Sequence, residues 1–113
     1  MALPVLRRYG YVQATASTWQ AVHTAVPAGR ALVVGTLVVA NLSASVELGF
    51  NLAITNVVPA VPNGDLLTAY SVIGVGESYE IHGLVIPAGY FVAVYSFGVT
   101  SAIVSVHGEE VDN

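Results

Sequence analysis

A chain of 113 residues is the size of one ordinary domain, too small to divide into two stable halves. Its 55% hydrophobic and 9% charged residues, against about 25% charged in an average soluble chain, leave too little ionic surface to keep copies apart, so apolar surface is expected to be covered by a partner. The net charge of -4, with Arg7, Arg8 and Arg30 as the only permanent cations, excludes the electrostatic footprint of a nucleic-acid binder, and the absence of cysteine excludes disulfides and thiolate metal centres.

The chain opens on a segment, residues 1–17, that reads as an N-terminal arm or edge strand, with the β-sandwich domain following over 18–113. Arg7 and Arg8 come after Leu3, Val5 and Leu6, the reverse of a secretory leader, so export is not expected. A strand is expected between Leu6 and Ala16. Within it Arg7, Arg8, Tyr9 and Tyr11 combine cationic hydrogen bonding with aromatic area and form the first candidate interface.

The next strand is read from Thr18 to Ala25, with Trp19 in the core. Val26-Pro27-Ala28-Gly29 then makes a corner, proline fixing φ and glycine permitting the turn. From Arg30 to Asn41 the apolar run is broken by Gly35 and Thr36 and falls short of the ~20 residues a membrane helix needs, so no membrane is expected. Strict alternation places Leu32, Val34 and Val38 on one face and Ala31, Val33, Leu37 and Val39 on the other. Both faces read as buried, which makes Leu37 and Val39 candidates for contact with a neighbour.

Ser45 to Thr55 alternates most cleanly, with Val46, Leu48, Phe50, Leu52 and Ile54 toward the core and Glu47, Gly49, Asn51 and Ala53 on a wetter side. Further strands are predicted over Asp65 to Val72, Glu77 to Gly83, Tyr90 to Phe97 and Ser101 to Glu109. Gly74-Val75-Gly76 reads as a tight hairpin turn, because no helix follows it to form a phosphate loop. Ile86-Pro87-Ala88-Gly89 repeats the earlier corner. In the strand after it Val92 and Val94 alternate with Phe91, Ala93, Tyr95 and Phe97, so Phe91 and Tyr95 join the candidate interface. About eight short strands between Pro/Gly-rich turns give an all-β class, an antiparallel β-sandwich or jelly roll. A sandwich hides one face of each sheet, and the second apolar face calls for a neighbouring subunit.

Chemistry has little to stand on. Glu80 and His82 share a strand face, but two groups do not make a zinc site, and His23 and His107 show no ligand spacing. No serine sits in a nucleophile elbow, and adjacent Glu109 and Glu110 point to opposite faces. No enzyme activity, cofactor or metal is expected.

The segments Val26-Pro27-Ala28-Gly29, Leu37-Val38-Val39-Ala40-Asn41 with Ser43-Ala44-Ser45, Leu84-Val85-Ile86-Pro87-Ala88-Gly89, and Val104-Ser105-Val106-His107-Gly108-Glu109 resemble small virion proteins of tailed bacteriophages, particularly capsid decoration (cement) proteins. The resemblance spans residues 20–110 and consists of strand and turn patterns. It implies a non-enzymatic protein made in the host cytoplasm that self-associates as a trimer, sits on the capsid surface and stabilises the head by binding the major capsid protein. A tail, baseplate or fibre component, and a carbohydrate-binding or adhesive β-sandwich, are the alternatives.

Overall fold

The computed structural model describes residues 7–57, 66–97 and 102–113, without the side chains of Arg7, Leu66 and residues 68–70. Among the described residues eight strands follow one another: β1 Arg7–Gln13, β2 Trp19–Ala21, β3 Arg30–Asn41, β4 Leu48–Thr55, β5 Leu66–Ile73, β6 Ser78–Pro87, β7 Phe91–Phe97 and β8 Ala102–Asp112. They form two four-stranded sheets, β1-β8-β3-β6 and β2-β7-β4-β5. Every strand pair is antiparallel. The two sheets share one apolar core, built on Leu32, Val34, Leu37, Val39, Leu48, Phe50, Leu52, Ile86, Val92, Val94, Val104 and Val106. The pairing is nested: the first strand meets the last, the second the seventh, the third the sixth and the fourth the fifth.

The faces of β3 differ from those the alternation implies. Gly35 is skipped in the pairing with β8, between Val34 and Thr36, and this bulge shifts the side-chain phase by one residue. Leu32, Val34, Leu37 and Val39 therefore all point inward and are fully buried, while Val33 on the other side is 42% exposed. Leu37 and Val39 are core residues, and neither offers a surface to a neighbour. The doubly apolar look of β3 comes from reading through a bulge. Conversely β4, expected to have one wetter side, buries Gly49, Ala53 and Thr55 along with Leu48, Phe50 and Leu52.

The two Pro-Ala-Gly corners are the same turn used twice, and they touch. Arg30 N–H donates to Pro27 C=O and Tyr90 N–H to Pro87 C=O, each at 3.2 Å, while Gly89 N–H donates to Val26 C=O at 2.8 Å. Gly29 and Gly89 have φ of 77° and 85°, a left-handed conformation that costs other residues ~1–2 kcal/mol. The Gly74–Gly76 segment is a turn, with Glu77 N–H donating to Gly74 C=O at 3.1 Å. It is not a hairpin, because β5 and β6 belong to opposite sheets.

β1 is the edge strand of the first sheet, laid along β8 from Arg7 opposite Gly108 to Gln13 opposite Ile103. Its bulge at Tyr9 turns that ring inward, edge-on to the His23 imidazole at 5.1 Å, and the phenol donates to Glu110 Oε2 at 2.6 Å. Burial, with the hydrogen bond to and negative charge of Glu110, pushes the Tyr9 phenol up to about 12. Arg30 joins the same group by pairing with Glu110 at 3.5 Å and with Asp112. One polar cluster thus ties β1, β3 and β8.

His23 is 8% exposed and has a fixed tautomer. Val92 N–H donates to its Nε2 at 3.0 Å, so Nδ1 carries the hydrogen and donates to Thr24 C=O at 2.7 Å. Desolvation lowers its pKa below the ordinary 6.5, the Thr24 bond opposing in part. The unfolded chain therefore binds the proton more readily than the folded one. Stability from this site is complete above pH ~6.5 and declines as the pH falls below it. The melting temperature is expected to drop between pH 7 and pH 5, and His23→Gln, which keeps an acceptor for Val92, should flatten that slope; equal slopes would remove His23 as the cause.

Candidate interaction face on the second sheet

The outward side of the β2-β7-β4-β5 sheet is built in rows across the strands. In one row Trp19 lies opposite Tyr95 and Tyr95 opposite Asn51. In the next, Phe97 and Val72 flank Gly49. On the other side of the Trp19 row, Ala21, Ala93 and Ala53 align, followed by Phe91 opposite Thr55. The rings touch in sequence, Trp19 to Tyr95 at 5.6 Å and Tyr95 to Phe97 at 4.8 Å, with interplanar angles of 54° and 64°. Trp19, Tyr95 and Phe91 are half-buried, and Phe97 and Val72 are exposed. These rows hold no carboxylate, arginine or histidine.

The eight residues read from the sequence as interface do not form one surface. Phe91 and Tyr95 lie on this outward face. Leu37 and Val39 are in the core, and Tyr9 is turned into the cluster with Glu110 and His23. Arg8 and Tyr11 sit on the outward side of the other sheet, opposite His107 and Ser105, with the Arg8 guanidinium 5.1 Å from the Tyr11 ring centroid. Arg7 pairs through its backbone with Gly108, and its side chain lies outside the described residues. Trp19, expected in the core, is instead half-buried on the outward face. Its parity held the signal: Val22, three residues on, is a core residue, so Trp19 and Ala21 fall on the other side of the strand.

The histidines do not assemble a centre. On the outward face of the first sheet His82 Nε2 lies 3.2 Å from Glu80 Oε2, with its Nδ1 3.3 Å from Thr36 Oγ1 and from Gly35 O. His107 reaches the hydroxyl of Ser105 at 3.2 Å. Among the described residues no group of three or more His, Cys, Asp or Glu side chains could hold a metal ion, and no helix is long and apolar enough to cross a membrane. Comparison with protein-family models, with curated proteins and with solved structures finds no match.

Proposed function

We propose that this chain is a non-enzymatic virion structural protein, a capsid decoration protein that self-associates as a trimer and stabilises a phage head by binding its major capsid protein. The order β1-β8-β3-β6 over β2-β7-β4-β5 reads as a jelly roll, an architecture common among capsid and lectin domains. The observation that carries self-association is the ring series Trp19, Tyr95 and Phe97 on an outward sheet face whose described rows carry no formal charge. Copies of such a face meet about a symmetry axis without like-charge repulsion or stranded ions, and aromatic anchors dominate protein contacts. The setting on a phage head rests on the strand and turn segments that resemble decoration proteins.

A sugar is the less suitable occupant of the same face. The tilts of 54° and 64° between successive rings give no shared plane on which a pyranose could stack, whereas irregular aromatic relief suits interdigitation with side chains.

Particles assembled without the chain test the reading. They are expected to rupture under heating or low salt before complete ones, because a protein that binds only the assembled shell stabilises it by mass action. Equal resistance, or labelling confined to the tail in low copy, would overturn it.

A further inference from the structure

We propose that one end of the sandwich, formed by the 42–47 connection and the 74–77 turn, is a second docking surface, fitted to a protein pocket that is apolar inside and bordered by arginine or lysine. The proposal rests on the assembly reading and assigns the contact with the shell to a surface distinct from the self-contact face. Leu42, Val46 and Val75 there are 60%, 50% and 43% exposed. Three aliphatic side chains held in water at one end of a small domain are a contact waiting for a cover.

This end is held in shape. Asn41 is 1% exposed at the close of β3, and its amide donates to Val46 C=O at 2.8 Å and Gly74 C=O at 3.2 Å. Its backbone N–H donates to Glu77 C=O at 2.9 Å, and its side-chain oxygen accepts from Ser43 N–H at 3.0 Å. A single buried amide thus ties the connection to the turn, while Ser43 Oγ accepts from Val46 N–H at 2.9 Å. Loops already fixed lose little freedom on docking.

Charge selects the partner. Glu47 and Glu77 are exposed at this end, and the described cations Arg8 and Arg30 lie elsewhere. Arg30 begins β3, ~35 Å from Asn41 along the strand, and is engaged by Glu110 and Asp112. Arg8 sits at the level of Thr36, beyond a Debye length of ~8 Å from this end. A second copy is a poor match: its aromatic face carries no cation to meet the acidic rim, and its outward Val33 stands between Val85 and Glu109, where a like charge would repel it. An anionic lipid surface would repel it too. A different protein with a basic-rimmed apolar pocket satisfies both the aliphatic and the acidic groups.

The test adds purified chain back to particles assembled without it and counts bound copies. Wild type is expected to bind with an affinity that falls as salt rises. L42S/V75S should lose at least tenfold in affinity, and E47Q/E77Q should bind more weakly with a flatter salt response, both keeping the wild-type solution mass and melting temperature. If L42S/V75S decorates like wild type, the end surface is overturned while the virion reading stands. Unchanged salt response in E47Q/E77Q overturns the basic rim, and a changed solution mass in either variant reassigns the surface to self-contact. Failure of the wild-type chain to bind the particles overturns both proposals.

Discussion

Replacing Gly108 by alanine is expected to destabilise the domain by ~3 kcal/mol, the upper end of the usual overpacking cost. The added Cβ would stand 2.3 Å from Val33 O and 3.0 Å from Val34 Cα. Both are backbone atoms of β3, the strand β8 pairs with along its whole length, so neither yields without opening the centre of the sheet. Gly74→Ala is the matched control. The atom its Cβ meets is the Glu77 carboxylate oxygen at 2.9 Å, the free end of a flexible exposed side chain, and the change should stay within about 0.5 kcal/mol. Urea midpoints at constant slope read both. Equal midpoints for Gly108→Ala and wild type would mean that β8 and β3 are not so closely apposed.

Tyr95→Glu is expected to weaken self-association roughly a hundredfold, from a penalty of about 3 kcal/mol for a buried unpaired charge. Tyr95 stands between Trp19 and Phe97, so a carboxylate there enters the middle of the proposed contact. Trp19 is the sole tryptophan, and its emission reports on this face directly: a blue shift should accompany assembly in wild type and be absent in Tyr95→Glu. Tyr11→Glu places the same charge on the outward side of the other sheet, where Tyr11 is 48% exposed. It should leave the solution mass unchanged. Dissociation by Tyr11→Glu with Tyr95→Glu unaffected would move the contact to the first sheet, and a wild-type monomer at micromolar concentration would end the self-association reading.

Strand identity was legible because β-branched and aromatic residues at period two, between Pro/Gly turns, leave few alternatives. The bounds of β3 agree with the sequence reading, and those of β7 differ by one residue. Faces were legible only where the period is unbroken. In β7 the Val92/Val94 side is core and the Phe91/Tyr95 side outward, as alternation implies. In β3 an extra residue at Gly35 reversed the second half of the strand, and nothing local distinguishes a bulge glycine from any other. Alternation puts Tyr9 on the side of Tyr11, whereas its bulge turns it toward His23 and Glu110, partners distant in sequence. Sheet membership was not legible at all. The Gly74–Gly76 turn suits a hairpin or a crossing between sheets equally well, and long-range pairing decides which.

That long-range pairing has a consequence for biosynthesis. Tyr9 and Glu110 meet across a separation of 101 positions in the chain, and β3 has β8 as a neighbour. Until β8 has left the ribosome, the first sheet lacks the member between β1 and β3, and the greasy interior has no complete second wall. Such high contact order makes folding slow and late, leaving the nascent polypeptide with unpaired edges and a stake in early chaperone protection.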